Sequence, residues 1–330
     1  IIFGIGDRVL QLIKILIKKN INISAVVPRL NMSNSKKFLI DLKEMSIQND
    51  FKILYLKNVN NKKSINKIKI LKPSLICNWG HHQLFTNELL KIPKLGCLNL
   101  HPGLFPFGRG SGAIQGEILN SKKLGWTCHF MNEKFDSGTL LSQLKRNFNY
   151  NNYYLDEIYK KMFAGIEKFY AKCIINALMK NIKKSNLKQT KSFGRYYPKF
   201  SPGDEVIDWN DNSYIILKKI RSRSPERLSV VYLKKEKKKY FIMKASKSTV
   251  KNYKFVKGQV IDKDIKKGIL VKTNDNAIWL NKGSYDLKKF ETPRFKIGTT
   301  FFYNSSGTTL SLIEKINYLE KKLSKISSKI

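Results

Sequence analysis

The sequence has few cysteines and few histidines, and neither type is arranged for metal binding or disulfide bonding. Its four cysteines stand far apart, at Cys77, Cys97, Cys128 and Cys173, and it contains only four histidines. Zinc ribbons and disulfide scaffolds need such residues at close, regular spacing, for example as a Cys-x-x-Cys pair, which the sequence does not contain. The sequence therefore predicts no bound metal and favours a reducing, cytoplasmic location.

Long apolar runs are also missing. The longest near the start, from Val9 to Ile17, is interrupted by Gln11 and Lys14 and is too short to span a bilayer. We therefore expect neither a membrane segment nor a signal peptide. Because the chain opens on apolar residues without an initiator methionine, we also expect that a few N-terminal residues are missing.

Acidic residues are scarce, with 24 Asp and Glu against 63 Lys and Arg, for a formal net charge of +39. Residues 1–150 carry +15 and residues 151–330 carry +24. A balance of this kind is typical of proteins that contact nucleic acid or anionic surfaces. However, only nine of the basic residues are Arg, and the many Lys, Asn and Ile residues are what an AT-rich genome encodes. We therefore favour a solvated basic surface set by codon bias over a dedicated nucleic-acid interface.

Composition and length indicate a folded chain with two domains. A hydrophobic share of 42% and an aromatic share of 12% exclude a disordered tail or a collagen-like repeat. At 330 residues the chain is long enough to bury two cores. We expect a first domain over residues 1–185, a linker over 186–202, a smaller domain over 203–305 and a final helix over 306–330.

The first hundred residues alternate short apolar runs with amphipathic segments, which predicts the strands and crossover helices of a parallel α/β sheet. The predicted strands cover residues 1–4, 23–27, 52–55, 75–78 and 96–100, and the predicted helices cover residues 8–19, 35–48, 64–71 and 87–90. Gly4-x-Gly6 follows the first strand, but Val9 replaces the third glycine of a dinucleotide-binding loop, so we do not favour a nicotinamide site. Over residues 153–182, apolar residues recur every three or four positions, which predicts one long helix.

Beyond Pro202 the pattern changes to short strands separated by turns, which indicates a small, mostly antiparallel, OB-like barrel preceded by a helix over residues 213–220. The predicted strands of this barrel cover residues 228–233, 239–243, 258–261, 268–272 and 277–280. Near the end, apolar residues from Leu312 to Ile326 follow a 4-3-4-3 spacing on a predicted helix. That stripe either packs on the chain itself or pairs with a second copy, so a homodimer is one expectation.

The residues best suited to chemistry lie at and after the strand predicted over residues 96–100. Asn99 and His101 are two residues apart, so their side chains project from the same face at the carboxyl end of that strand, where open α/β sheets bind ligands. With the carboxylate of Asp136 beside them, the imidazole can move a proton and the amide can stabilise an oxyanion, as acyl-type transfer requires. On spacing alone, a structural histidine and an ordinary Asp-Ser-Gly turn explain these residues equally well.

A longer string around these residues resembles one enzyme family. It comprises Cys97-Leu98-Asn99-Leu100-His101-Pro102-Gly103-Leu104-Phe105-Pro106, Arg109-Gly110, Ala113-Ile114-Gln115, Gly125-Trp126-Thr127, Met131, Glu133 and Asp136-Ser137-Gly138. The string is similar to that of the formyltransferases that use 10-formyltetrahydrofolate. The similarity continues through Tyr197-Pro198-Lys199 and Ile207-Asp208-Trp209, at the entry to the family's barrel-like C-terminal domain, so it covers nearly the whole chain.

The resemblance implies a fold and a catalytic triad. The fold is a Rossmann-like parallel sheet in a formyltransferase catalytic domain, followed by the smaller, mostly β domain. The triad is Asn99, His101 and Asp136, which would assist the attack of a primary amine on the formyl carbon through a tetrahedral intermediate. In this interpretation Asp136 orients His101, and Asn99 together with protonated or neutral His101 holds the tetrahedral oxygen. The proton of the amine passes either through His101 or through a water held by Asp136.

The resemblance also implies where the folate co-substrate lies. Much of the folate contact in the family is made by main chain, in two loops whose residues here are Gln83, Leu84, Phe85, Phe135, Ser137 and Gly138. A further loop carries Arg109 and Gly110 beside the triad and is expected to be a substrate loop. Arg109 either anchors that loop or contacts the substrate.

The family's acceptors are initiator methionyl-tRNA, amino-sugar nucleotides, a purine precursor or, in the deformylases, water. The tRNA-acting members resemble one another in a basic insertion after the second strand. Residues 26–37 lack the Asp-Arg-Pro and Gly-Arg-Gly-Lys-Lys elements of that insertion, and the loop from His101 to Gly110 is more similar to that of sugar-acting relatives. We therefore expect an amino-sugar nucleotide acceptor, with methionyl-tRNA as the alternative because the second half of the chain is basic.

Two hypotheses from other classes are less favoured. A water-acting deformylase would keep the triad but usually carries an N-terminal regulatory domain, which this sequence does not show. A noncatalytic nucleic-acid-binding protein on the same scaffold would explain the charge. In such a protein, mutations would be expected to have replaced residues of the triad, but all three are present. Among the other histidines, we expect His81 and His82 to point apart without binding metal, and His129 to have a packing role on a strand.

Overall fold

The structure is a computed structural model that describes residues 1–29, 35–120, 123–179, 194–235, 238–249 and 254–302, together with positions 316, 319 and 323. The chain forms two compact units. The first unit comprises Ile1–Glu117, Ser121–Asn147 and Lys161–Lys199, and the second comprises Ile118–Asn120, Phe148–Lys160 and Phe200–Ile330. The domain boundaries expected at residues 185 and 202 stay a prediction. Residues 186–193 of the expected linker, and all of the expected final helix except positions 316, 319 and 323, lie outside the described residues.

A seven-stranded sheet forms the centre of the first unit. Its strands are β1 (Ile2–Gly4), β2 (Ala25–Pro28), β3 (Lys52–Ile53), β4 (Ile76–Trp79), β5 (Cys97–His101), β6 (Leu124–Phe130) and β7 (Leu140–Arg146). Their order across the sheet is β3-β2-β1-β4-β5-β6-β7. Strands β1 to β5 are parallel, and β6 and β7 continue the sheet in antiparallel pairing. The α/β fold class predicted from the sequence is confirmed.

The helices of the described residues include four that connect the parallel strands β1 to β5 in chain order, as crossover connections. They are α1 (Asp7–Ile17), α2 (Ser35–Gln48), α3 (Lys62–Ile70), α4 (Asn87–Leu90), α5 (Ala113–Asn120), α6 (Leu155–Phe163), α7 (Ile166–Leu178) and α8 (Ser213–Arg223). Helix α1 buries Val9, Leu12, Ile13 and Leu16, the three- and four-residue spacing of a helix with one apolar face. Burial of such faces covers the sheet and leaves the carboxyl ends of its strands for polar residues.

The prediction of a single long helix over residues 153–182 is wrong. The structure has α6 and α7 there, separated at Gly165, whose φ of +67° is left-handed. A left-handed residue ends a right-handed helix, and glycine adopts that conformation at little cost because it has no Cβ. Met162 and Ile166 are buried on either side of the break at helical spacing, which is why the apolar periodicity predicted one helix.

The second unit contains a five-stranded antiparallel sheet. Its strands are β8 (Ser229–Tyr232), β9 (Lys239–Lys247), β10 (Val260–Asp264), β11 (Gly268–Lys272) and β12 (Ala277–Ser284), in the order β10-β11-β12-β9-β8. Helix α8 begins after Asn212, whose side chain accepts a hydrogen bond from the Ile215 N–H. Asn212 therefore caps this helix in the manner common for Asn. The smaller, mostly β second domain predicted from the sequence is confirmed.

Trp209 is the largest side chain in the core of the second unit, and its loss should destabilise that unit. The side chain is fully buried, and its ring stacks on Phe301 with centroids 5.9 Å apart. We predict that Trp209→Ala lowers the free energy of unfolding by about 3–5 kcal/mol, because apolar burial is lost and a cavity remains. Chemical denaturation would measure the loss. Trp279→Ala, at a part-exposed position, is the matched control, and an equal loss in both variants would contradict the prediction.

Candidate active site

The carboxyl end of β5 presents the predicted amide and imidazole. Strand β5 lies between β4 and β6 and ends at His101. Asn99 is partly exposed and His101 is buried. Since the two residues alternate with Leu100 along a strand, their side chains share one face of the sheet. The sequence-based expectation that Asn99 and His101 lie together is met by the geometry.

Asp136 contacts the His101 imidazole. Its Oδ1 lies 3.3 Å from Nδ1 of His101, and the two side chains are only 10% and 8% exposed. On the other side of the ring, Nε2 lies 2.8 Å from the carbonyl oxygen of Gly108. A carbonyl oxygen only accepts hydrogen bonds, so Nε2 carries a hydrogen. The position between Nδ1 and Oδ1 can then hold or lack one further proton, so His101 and Asp136 form a pair that can take up a proton.

The surroundings adjust the pKa of His101. Burial lowers the pKa of its imidazole from the ordinary value, and the Asp136 carboxylate and the Gly108 carbonyl act in the opposite direction. Burial and these two oxygen atoms therefore act against each other on the pKa of the same ring. A buried pair that can hold or lack one proton is suited to accept a proton from a reacting group.

The loop that carries Asp136 is fixed by close main-chain contacts. Asp136 has a φ of +49°, in the left-handed region that most non-glycine residues avoid and that Asp tolerates better than most. Its Oδ2 accepts a hydrogen bond of 2.9 Å from the N–H of Gly110. Gly110 has a φ of +91°, and a Cβ there would lie 2.2 Å from the carbonyl oxygen of Tyr197. Only glycine fits at position 110, and it joins the predicted substrate loop to Asp136.

A row of polar side chains crosses β4, β5 and β6. The strand register pairs Asn78 with Asn99, and Asn99 with His129. Nδ2 of Asn78 donates to Oδ1 of Asn99 at 3.0 Å, and Nδ2 of Asn99 lies 3.2 Å from Nε2 of His129. The same nitrogen of His129 lies 3.8 Å from Oδ1 of Asp136. His129 therefore contacts site residues in addition to the packing role expected for it. The sequence indicated no role for Asn78.

The predicted folate-binding segment after β4 is held in place by its own side chains. Gln83 accepts a hydrogen bond from the Val59 N–H and donates one to the Lys57 carbonyl, both at 2.8 Å. The Phe85 side chain is fully buried, whereas Leu84 is partly exposed. Contact with a ligand at this segment would therefore fall to Leu84 and to main-chain groups. The folate-binding roles of the three residues stay a prediction.

The second predicted folate-binding segment borders a cleft of about 550 Å³. The cleft is lined by Asn87, Leu90, Arg109, Met131, Asn132, Glu133, Lys134 and Ser137. The Ser137 hydroxyl donates to Oδ1 of Asn132 at 2.7 Å, and the Phe135 side chain is 55% exposed. Gly138 lies so close to the Phe130 carbonyl that a Cβ would be 1.6 Å from its oxygen. This segment thus places polar and aromatic groups next to a cleft large enough for part of a folate.

Arg109 has two kinds of contact. Its main-chain N–H donates to the carbonyl of Arg195, and its carbonyl accepts from the N–H of Tyr197. Its side chain lines the cleft described above. The main chain of Arg109 therefore anchors the loop, and a substrate contact by its side chain stays a prediction.

The remaining histidines and the cysteines show no metal-binding arrangement. His81 and His82 do not point apart as expected, because their rings stack with centroids 5.2 Å apart. Within the described ranges, no group of three or more His, Cys, Asp or Glu side chains could hold a metal ion. The four cysteines are buried and free, and burial raises the pKa of the Cys77 and Cys97 thiols to about 12. None of the helices in the described part of the chain is long and apolar enough to cross a membrane.

Comparison with known proteins gives matches over most of the chain. A family model for formyl transferase matches residues 1–172, and a model for the formyl transferase C-terminal domain matches residues 199–294. The bifunctional polymyxin resistance protein ArnA of Wigglesworthia glossinidia brevipalpis is 30% identical over 248 residues, which are 72% of this chain and 36% of that protein. The methionyl-tRNA formyltransferase of Syntrophomonas wolfei is 29% identical over 206 residues, 62% of this chain and 64% of that protein. The matches thus span less than two thirds of either relative.

A solved structure has the same fold. The N-formyltransferase of Helicobacter canadensis, in complex with folinic acid and dTDP-3-aminofucose, aligns with a TM-score of 0.56 and 17% sequence identity. The alignment covers 85% of this chain and 97% of that chain. At this identity the likeness concerns the fold alone.

The fold and the site define an α/β enzyme whose amide, imidazole and carboxylate are arranged for acyl-type group transfer. The family model over residues 1–172 covers more than half of the sequence, and the chain belongs to the formyl transferase family, whose members transfer formyl groups. The resemblance seen in the sequence is thus confirmed, and a formyl-tetrahydrofolate is the family's formyl donor. The acceptor, a homodimer, a cytoplasmic location and the roles of individual site residues stay predictions.

Proposed function

We propose that this protein transfers the formyl group of 10-formyltetrahydrofolate to the primary amine of an amino-sugar nucleotide. The amine nitrogen forms a bond with the formyl carbon, the bond between that carbon and the folate N10 breaks, and the amine loses a proton while N10 gains one. Formyl transfer is supported mainly by the position of three side chains in a chain of the formyl transferase family. Asn99 and His101 lie at the carboxyl end of β5, and Asp136 contacts His101.

The three side chains divide the reaction between them. An N–H of the Asn99 amide donates to the formyl oxygen as that oxygen becomes negatively charged in the tetrahedral intermediate. The pair of His101 and Asp136 takes up the proton that the amine loses, between Nδ1 and Oδ1. The Gly108 carbonyl and the Gly110 N–H hold the two members of the pair in place before the substrates bind.

The connection between β2 and α2 supports a sugar nucleotide as acceptor. Strand β2 ends at Pro28 and α2 begins at Ser35, so only six residues join them. A connection of this length has no room for the basic insertion that tRNA-acting members of the family share. The H. canadensis enzyme, which has the same fold, is in complex with dTDP-3-aminofucose, a sugar nucleotide that carries an amine.

Initiator methionyl-tRNA is the second candidate acceptor, and the charge of the chain favours it. Residues 151–330 carry +24. In the second unit, Lys234 and Lys235 line a surface hollow of about 280 Å³ together with Thr299 and Thr300. Lysines attract the phosphate backbone and release its counterions, so binding of this kind weakens steeply as salt rises. The relative from S. wolfei is a methionyl-tRNA formyltransferase by name.

Release of tetrahydrofolate distinguishes the two acceptors. The purified protein would be incubated with 10-formyltetrahydrofolate at 0.15 M salt, either with methionyl initiator tRNA or with nucleotide-linked amino sugars that include dTDP-3-aminofucose. Sugar nucleotides with a hydroxyl in place of the amine are the matched controls. Release with an amino sugar alone supports the proposal, and release with the tRNA alone replaces the acceptor. If the protein is folded and binds folinic acid but releases tetrahydrofolate with neither acceptor, this result would contradict transfer to either of them.

A further inference from the structure

The row formed by Asn78, Asn99 and His129 ends on main-chain groups at both sides. The N–H of His81 donates to Oδ1 of Asn78 at 3.2 Å, and Nδ1 of His129 lies 2.9 Å from the carbonyl oxygen of Phe130. A main-chain N–H can only donate, and a carbonyl oxygen can only accept. These two ends therefore determine the direction of every hydrogen bond in the row, including the orientation of both amides and the tautomer of the ring.

On the β4 side, the row fixes the Asn99 amide through Asn78. Because Oδ1 of Asn78 accepts from the main chain, its Nδ2 faces Asn99 and has to donate. Asn99 therefore presents Oδ1 to Asn78, at 3.0 Å. If the Asn99 amide turned by 180°, two NH2 groups would face each other beside a side chain that is only 5% exposed. A buried clash of two donors excludes that orientation.

On the β6 side, the row fixes the same amide independently. Because the Phe130 carbonyl accepts, Nδ1 of His129 carries the hydrogen, and Nε2 accepts from Nδ2 of Asn99 at 3.2 Å. Burial lowers the pKa of His129 to about 4, so the ring is neutral at neutral pH and keeps this lone pair. Oδ1 of Asp136 faces the same nitrogen at 3.8 Å, which is too long for a hydrogen bond.

We propose that Asn78 and His129 are positioning residues that hold the Asn99 amide with its NH2 group available to the substrate. The inference rests on the proposed function, in which an N–H of Asn99 stabilises the tetrahedral oxygen. His129 binds one hydrogen of that NH2 group, and the other is left for the substrate. An amide turned the other way would present a carbonyl oxygen to a developing negative charge. The row therefore makes Asn99 present the partial positive charge of its NH2 group to the developing oxyanion, and not the partial negative charge of its carbonyl oxygen.

Asn78→Asp reverses one hydrogen bond of the row with almost no change in size. A carboxylate at position 78 still accepts from the His81 N–H, but it cannot donate to Asn99. Since His129 also accepts, neither orientation of the Asn99 amide then satisfies both neighbours, and its NH2 group is no longer held in place for the substrate. We expect kcat to fall about 10²-fold, the loss typical of one oxyanion donor, with KM for both substrates changed less than about threefold. Asn281→Asp, at a part-exposed site in the second unit, makes the same exchange and should leave kcat unchanged. An unchanged kcat in Asn78→Asp would overturn the proposal.

Two substitutions of His129 separate hydrogen bonding from packing. Glutamine can place an amide oxygen near the position of Nε2, whereas phenylalanine fills the space of the ring and has no acceptor. We expect His129→Gln to keep kcat within about threefold of the wild type and His129→Phe to lose about tenfold or more. A role for His129 in packing alone predicts the opposite order, because phenylalanine matches the shape and volume of the ring better than glutamine.

The tautomer of His129 can be measured without substrate. Histidine labelled with nitrogen-15 would give four sets of ring signals, and His129→Gln would assign the set that belongs to His129. We expect a neutral ring at pH 7 with its hydrogen on Nδ1. A protonated ring, or a hydrogen on Nε2, would overturn the proposal whatever the activity of the enzyme.

The Asn99→Ala variant distinguishes failure of this inference from failure of the proposed function. Its activity would be measured with the acceptor that supports tetrahydrofolate release in the assay above. If Asn99→Ala is as active as the wild type, the proposed catalytic role of Asn99 fails. If Asn99→Ala loses activity while Asn78→Asp keeps it, only the positioning role of the row fails.

Discussion

The Asp136→Asn variant is expected to lose about 10³-fold in kcat, because the exchange removes the negative charge from the proton-accepting pair and keeps the size of the side chain. An amide oxygen at position 136 can still accept from the Gly110 N–H, so the loop should keep its conformation. The NH2 group would then face Nδ1 of His101, where a carboxylate oxygen now lies at 3.3 Å. Since that NH2 group donates to Nδ1, the ring would take up the proton of the amine far less readily.

The pH profile of this variant should shift in one direction. In the wild type the pair works without the shared proton, so activity rises as the pH passes through the pKa of the pair. Asp136 raises the pKa of His101 against the larger lowering effect of burial, so its removal lowers that pKa further. The residual activity of Asp136→Asn should therefore reach its plateau at a lower pH than the wild type. A shift to higher pH would contradict the assignment, and Asp262→Asn, at an exposed site, should change neither kcat nor profile.

The architecture of the first unit could be predicted because its signals are local. The spacing of apolar residues from Val9 to Leu16 predicts α1, and the short apolar run from Cys97 to Leu100 predicts most of β5. The break at Gly165 could not be predicted in the same way. A single glycine inside a helical pattern is compatible with a continuous helix, and only its left-handed φ shows that the helix ends there.

The site could be predicted only in part, because strand pairing is not a local property. Asn99 and His101 share a face through the two-residue period of one strand, which the sequence shows directly. Asn78 and His129 join Asn99 across neighbouring strands, at separations of 21 and 30 residues along the chain. A register shift of one residue would turn either side chain to the other face of the sheet. The polar row is therefore visible only once the pairing of β4, β5 and β6 is known.

His129 was assigned to packing because its strand gives the pattern of a core strand. The residues of β6 before Phe130 are all buried, and only its polarity distinguishes His129 from its direct neighbours Cys128 and Phe130. A buried polar side chain needs hydrogen-bond partners, and this requirement is the argument that would have identified its role. Phe85 shows the opposite error. It lies in a segment predicted to bind the folate, but its side chain is buried in the core.

His101→Ala is the second substitution with a large expected effect. Loss of the imidazole removes the proton-accepting ring and leaves the buried Asp136 carboxylate without its partner, so we expect kcat to fall by about 10²- to 10⁴-fold. Initial rates of tetrahydrofolate release would measure the loss. His101→Gln keeps a group that can donate to the Gly108 carbonyl but cannot titrate, and it should be as slow as the alanine variant. Activity near that of the wild type in both variants would exclude the mechanism proposed for His101.

The double variant His101→Ala/Asp136→Asn tests whether the two residues act as one group. If one proton position between Nδ1 and Oδ1 is the working acceptor, either single substitution already destroys it. The double variant should then be no slower than the slower single variant, because groups that act as a unit show strongly non-additive losses. Losses that multiply would mean that Asp136 and His101 contribute separately. In that case the amine would lose its proton to one residue while the other acts on a different step.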